Sequence, residues 1–181
     1  MRIVILVFLF LFFVGCKQDK SELLNKNHSE KKEIDNALKS QFIVDLEVIV
    51  SNDEVFEMFY QDYDNHKYTW KTKIKKKIKG SDKLQTIRFK MPETYFPKSL
   101  RFDFGDNPET KYIKFVSLKM TYEDLNITIN PAEFGAFFVS NSYVTYNKNT
   151  GEITTKKIKG KYDPYFDSKP VFKQRLKIEA R

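Results

Sequence analysis

The sequence predicts an all-β protein, an antiparallel β-sandwich with jelly-roll-like connections that follows a disordered N-terminal tether. Two observations carry this fold class. Apolar and polar residues alternate with a period of two through much of residues 41–181, which is the pattern of half-buried strands. Clusters of Gly, Asn, Asp and Pro separate many of these segments, as they do between the short strands of all-β domains.

The strands follow from the alternation. Residues 42–50 give the clearest strand, because every even position is apolar and the odd positions include Asp45 and Glu47. Further strands are predicted at residues 55–60, 68–79, 84–91, 100–104, 112–122, 125–129, 137–146, 153–159 and 172–178. Residues 147–151 predict a hairpin loop. A single helical turn is predicted after Asn130, since Pro131 suits the first helical position.

The N-terminus resembles a bacterial lipoprotein signal. Arg2 precedes an apolar run over residues 3–14, which is long enough for a signal-peptide core and too short to span a bilayer. Gly15 stands before Cys16, the only cysteine of the chain. The resemblance implies that residues 1–15 are cleaved as a signal peptide and that Cys16 is lipidated, its acyl chains (palmitate among them) anchoring the protein in a membrane. The alternative is an uncleaved anchor helix.

Residues 16–40 are expected to be the lipidated cysteine and a flexible polar linker, because their apolar residues are too sparse to bury a face. A linker of this length reaches about 25–30 Å. Lys17 follows the cysteine, where inner-membrane lipoproteins of Gram-negative bacteria carry Asp. This resemblance implies export to the outer membrane, on its periplasmic or its surface side. The folded domain is expected to span residues 41–181.

Part of the domain resembles a known module. The motifs are Val-Phe-Glu-Met-Phe-Tyr at 55–60, Tyr-Thr-Trp at 68–70, Ile-Lys-Gly at 78–80, Leu-Arg-Phe-Asp-Phe-Gly at 100–105 and Ile-Lys-Phe-Val-Ser-Leu at 113–118. Their order is similar to a β-sandwich module of bacterial cell-surface polysaccharide proteins, often appended to glycosyltransferases. The match covers about residues 50–122, with Glu57 in place of Gln and Phe104 in place of Pro. It implies a carbohydrate-binding-like sandwich and no catalytic residues.

A lysine-rich segment is the most unusual local feature. Residues 67–90 hold ten Lys or Arg and one acid, whereas the whole chain has a net charge of +8. On a strand, the odd positions would form one basic face. The candidate anion- or glycan-binding residues are Lys71, Lys73, Lys75, Lys77 and Lys79. As a binding surface it would follow a polyanion such as an acidic polysaccharide or an array of lipid phosphates; the commoner role of such a face is that of a solvated edge strand whose lysines prevent aggregation.

An acidic loop with flanking tyrosines is the second candidate. Tyr60, Tyr63 and Tyr68 surround it, and flat aromatic faces beside polar loops can hold sugar rings, although core packing is the commoner role. Asp62 and Asp64 offer oxygens for calcium. The segment lacks the glycine and final glutamate of an EF-hand, so we predict a plain surface loop and no metal site.

Catalysis has little support in the sequence. His66 is the only histidine of residues 41–181, no thiol remains once Cys16 is acylated, and there is no Gly-x-Ser-x-Gly motif. Asp103 is expected to form a structural ion pair with Arg101. We therefore predict a protein that is not an enzyme and needs no cofactor.

The predicted function is that of a membrane-anchored envelope lipoprotein that binds or organises surface glycans. Two alternatives remain: an assembly lipoprotein that contacts other envelope proteins, and a small hydrolase. Nucleic acid is not expected as a partner, because the sequence holds no nucleic-acid-binding motif.

Overall fold

The computed structural model describes residues 41–61, 66–93, 95–109 and 112–179, so the predicted signal peptide and linker lie outside the described residues. The strands are β1 (Ile43–Val50), β2 (Glu54–Gln61), β3 (Lys73–Ile78), β4 (Ser81–Lys90), β5 (Ser99–Phe104), β6 (Ile113–Tyr122), β7 (Leu125–Ile129), β8 (Phe138–Ser140), β9 (Val144–Tyr146), β10 (Glu152–Thr155) and β11 (Tyr165–Ser168). The helices are α1 (Pro131–Phe137) and α2 (Pro170–Glu179), and a 3-10 turn covers Trp70–Thr72.

The strands form two antiparallel sheets. The first sheet has the order β4-β1-β6-β10-β9, and β7 pairs with β6. The second sheet has the order β3-β2-β5-β11-β8. Most connections carry the chain from one sheet to the other, as in the jelly-roll-like arrangement that the sequence predicts. The predicted antiparallel β-sandwich is therefore confirmed.

The core lies between the sheets and is rich in phenylalanine. Side chains alternate between core and solvent along β1 and β2, as the period of two predicts. Phe134 of α1 stands at the centre of an aromatic cluster. Its ring centroid lies 4.4 Å from that of Phe115, 4.7 Å from Phe138, 5.1 Å from Phe166 and 5.5 Å from Tyr146. These contacts join both sheets to α1.

Helix α1 is longer than the single turn predicted from the sequence. Asn130 caps it as predicted, since its side chain accepts a hydrogen bond from the backbone N–H of Glu133. Gly135 does not end the helix, because burial of Phe134 against the core holds the following turn in place. The single strand predicted at residues 137–146 is accordingly wrong: β8 belongs to the second sheet and β9 to the first.

The C-terminal strand predicted at residues 172–178 is also wrong, because this segment lies in α2. Phe172 and Leu176 are both buried, and their spacing of four residues places them on one face of a helix. Pro170 opens the helix at a position where the missing N–H costs nothing. None of the helices in the described ranges is long and apolar enough to cross a membrane.

The lysine-rich segment forms a shorter strand than predicted. A 3-10 turn at Trp70–Thr72 precedes β3. Thr69 and Thr72 cap this turn reciprocally, which bends the chain away from the strand direction. Trp70 would face the core if the strand began at residue 68 as predicted, because it lies on the face opposite the lysines, but after this bend it is 78% exposed. The strand predicted at residues 153–159 is shortened too, since β10 ends at Thr155.

Candidate functional site

The second sheet turns one set of side chains away from the core, and we call this set the outer face. Strand registers align its members in rows across β3, β2, β5 and β11. One row reads Lys75, Glu57, Asp103 and Tyr165. The next row reads Lys73, Phe59, Arg101 and Asp167. Six charged and two aromatic side chains thus lie together over the middle of the sheet.

Arg101 is the most constrained side chain of the outer face. Its Nε and Nη2 donate to the two carboxylate oxygens of Asp103 at 2.6 and 2.8 Å, which confirms the predicted ion pair. Nη2 also donates to Asp163 at 3.3 Å. The guanidinium carbon lies 3.7 Å from the ring centroid of Tyr165 and 5.4 Å from that of Phe59. Bidentate pairing and contact with two rings fix the guanidinium in one orientation.

The carboxylate of Asp103 is held among other charges. Burial raises its pKa above the ordinary value, and the negative charges of Asp163 and Glu57 add to the rise, which the hydrogen bond from Arg101 opposes. For Arg101, burial acts to lower the pKa, but the pairing with Asp103 outweighs it and the pKa is raised. The guanidinium of Arg101 therefore holds the carboxylates of Asp103 and Asp163 in place, and burial partly desolvates Asp103.

A cavity of about 290 Å³ opens beside this set. Its charged lining consists of Glu57, Asp103, Asp106 and Asp163. Tyr162 lines it as well, and its hydroxyl donates to Thr155 at 2.9 Å. A second cavity of about 320 Å³, which includes Lys77, shares Val55 and Asp106 with the first. The two cavities therefore adjoin along the edge of the outer face.

One wall of the first cavity is built on Glu54. This side chain is only 3% exposed, and one carboxylate oxygen accepts hydrogen bonds from the backbone N–H groups of Val55, Asp106 and Asn107. Gly105 packs against it at a φ of +89°. A Cβ added to Gly105 would lie 2.4 Å from the carboxylate carbon, so the close approach requires glycine.

The predicted basic face is only partly assembled, and its lysines are mostly paired. Lys73 and Lys75 both approach Glu57, at 2.9 and 3.5 Å. Lys77 has no ion pair within the part of the chain that the structure describes. Lys79 pairs with Asp53 at 2.5 Å beyond the end of β3.

Lys71 lies in the 3-10 turn, 5.5 Å from the Trp70 ring centroid, and so does not belong to the strand. Thus Lys73, Lys75 and Lys77 share one face, while Lys71 and Lys79 do not.

The predicted aromatic loop is not assembled by the described residues. Tyr60 is 3% exposed and belongs to the core, where its ring lies 5.9 Å from that of Tyr95. The reason is strand parity, because β2 turns its even positions inward. Tyr68 packs against Phe59 and donates its hydroxyl to Asp167 at 2.7 Å.

Burial is the largest cause that raises the pKa of Tyr68. The third tyrosine of the predicted loop, Tyr63, and the weak calcium candidates Asp62 and Asp64 lie outside the described residues. Over the described ranges, no group of three or more His, Cys, Asp or Glu side chains is placed to hold a metal ion.

Three residues of the site were not among the binding residues predicted from the sequence. Tyr162, Asp163 and Tyr165 fall between the strands predicted at residues 153–159 and 172–178, yet β11 is an inner strand of the second sheet. A signal was present: Asp163, Tyr165 and Asp167 alternate with Phe166, which is the period of a strand with one polar face.

Comparisons with known proteins give no matching family model, no matching curated protein and no matching solved structure. The likeness to the module of cell-surface polysaccharide proteins therefore stays a prediction.

Proposed function

We propose that this chain is a membrane-anchored, non-catalytic envelope lipoprotein whose β-sandwich binds a surface glycan at the outer face of the second sheet. One observation carries the proposal: Arg101, held between the rings of Phe59 and Tyr165, fixes two carboxylates that line a cavity of about 290 Å³. The resemblance to the polysaccharide-protein module supports the same ligand class.

Sugar recognition needs the groups that this face offers. A sugar ring has apolar C–H faces that pack on aromatic rings, and its hydroxyls both donate and accept hydrogen bonds. Tyr162 supplies a ring in the cavity, and Glu57, Asp103 and Asp163 supply acceptor oxygens. Pre-orientation of Asp103 and Asp163 by Arg101, and of Glu57 by Lys73 and Lys75, lowers the entropy lost on binding. The volume lies at the lower end of the range for small-molecule pockets, roughly 300 Å³, which suits a short glycan segment and not a large ligand.

Arg101→Gln tests the proposal. The substitution removes the charge that holds Asp103 and Asp163. The affinity for a polysaccharide that retains the unaltered chain should therefore fall about tenfold or more. The measurement is retention of the full-length chain, in detergent, on immobilised polysaccharides. The matched control is Arg88→Gln, because Arg88 forms an equivalent bidentate pair with Asp45, at 2.7 Å for both bonds, on the first sheet. Equal losses in the two variants would contradict the assignment.

Membrane anchoring is tested separately at Cys16. Cys16→Ser should abolish incorporation of labelled palmitate, because the chain has no other cysteine to acylate. Phe13→Leu is the control: the lipoprotein signals that the N-terminus resembles usually carry Leu where this chain has Phe13, so this variant should keep the label and be cleaved faster. Labelling of the Cys16→Ser chain would contradict the lipoprotein assignment.

A further inference from the structure

The charges of the outer face are balanced and largely paired. The outer-face positions of β3, β2, β5 and β11, together with Asp163 two residues before β11, carry four cations and four anions among the described residues: Lys73, Lys75, Lys77 and Arg101 against Glu57, Asp103, Asp163 and Asp167. Lys73, Lys75 and Arg101 each contact a carboxylate within 3.5 Å. The outer face therefore lacks the uncompensated basic charge that the sequence alone predicts.

The charged side chains that line the first cavity are all acidic. Its lining includes four carboxylates and no Lys or Arg. A carboxylate or sulfate group on a sugar would meet these side chains at close range, and like charges that face one another across an interface oppose binding. The guanidinium of Arg101 does little to offset this repulsion, because it already donates hydrogen bonds to Asp103 and Asp163.

An uncharged sugar meets no such obstacle. Each hydroxyl can donate to a carboxylate oxygen and needs no counter-charge. Two neighbouring hydroxyls can share one carboxylate in the geometry that Arg101 already uses with Asp103. Tyr162 provides the apolar surface on which a ring can rest. The polar groups that repel an anion are therefore acceptors for a neutral polyol.

We infer that the glycan recognised at the outer face is uncharged, and not the acidic polysaccharide that the lysine-rich sequence indicates. This inference rests on the proposed function, because it names the ligand class of the same site. It assigns Lys73 and Lys75 to orienting Glu57, and it leaves Lys77 as the solvated edge lysine that protects β3 from pairing with another chain.

The test compares a neutral glucan, an acidic glycan (hyaluronan) and a cationic one (chitosan), each immobilised, with the full-length chain in detergent at low and high salt. We expect retention on the neutral glucan, with a change of less than about twofold across the salt range, since no charge pair forms with the ligand. Preferential retention on hyaluronan that falls with salt, or retention on chitosan alone, would overturn the inference while leaving glycan binding intact.

A double variant of the cavity lining tests the charge argument separately. Asp106→Asn combined with Asp163→Asn removes half of the acidic lining, so retention on hyaluronan should rise about tenfold as like-charge repulsion falls. Unchanged retention on hyaluronan would contradict the charge argument. If neither protein is retained on any of the three glycans, the proposed function itself fails, and the assembly lipoprotein becomes the better description.

Discussion

Phe134→Ala should lower the free energy of unfolding by about 3–5 kcal/mol, the usual cost of removing a fully buried phenylalanine. The ring is 0% exposed, and it contacts Phe115 of the first sheet together with Phe138 and Phe166 of the second. Its loss leaves a cavity that rigid strands cannot fill, and it removes the main contact between α1 and the core. Urea denaturation of a soluble chain covering residues 41–181, followed by circular dichroism, measures the change.

Phe134→Leu is the control for this prediction. It keeps an apolar side chain of similar reach, so we expect a smaller loss, about 1–2 kcal/mol. A second control, Val139→Ala, alters an exposed residue of β8 and should change the free energy by less than about 0.5 kcal/mol. A loss below about 1 kcal/mol for Phe134→Ala would show that α1 does not complete the core.

Glu54→Ala should cost about 2–4 kcal/mol and should also weaken glycan binding. The buried carboxylate accepts backbone hydrogen bonds at 2.9, 3.0 and 3.2 Å from Val55, Asp106 and Asn107. Hydrogen bonds to a charged group contribute more than neutral ones, and a buried donor left without an acceptor is costly. The binding effect is indirect, because Gly105 and Asp106 line the cavity and Glu54 holds them in place.

Two measurements separate the roles of Glu54. Urea denaturation gives the loss of stability, and retention on a neutral polysaccharide gives the loss of binding at a temperature where the variant is folded. Glu54→Gln keeps one acceptor oxygen and should recover part of both losses. Full binding by a folded Glu54→Ala chain would contradict the role of the 105–109 loop as a wall of the site.

The strands that alternate most regularly were predictable from sequence. In β1, β2, β5, β6 and β7 most apolar residues fall on one face of the strand, and that face packs between the sheets. The failures have local causes. Residues 172–178 mix two periods, and tertiary burial of Phe172 with Leu176 selects the helix. Before β3, the reciprocal cap between Thr69 and Thr72 overrides the alternation of lysines.

The site was less predictable than the fold. The pair of Arg101 with Asp103 is local, because residues two apart on a strand share a face. The remaining partners come from 62 residues further along the chain, where Asp163 reaches Arg101. That contact depends on the pairing of β11 with β5, which no local pattern specifies. The prediction of an uncompensated basic face failed for the same reason, because Glu57 lies beside these lysines only once β2 pairs with β3.

Mapping of amide shifts by NMR tests the central claim most directly. A neutral oligosaccharide would be titrated into the isotope-labelled chain covering residues 41–181, and the backbone amide shifts would be followed. Glycan binding at the outer face predicts shifts that cluster in β2, in β5, in the 105–109 loop and around Tyr162 and Asp163. Shifts confined to the exposed surface of β1 and β4, or no shifts at millimolar oligosaccharide, would contradict it.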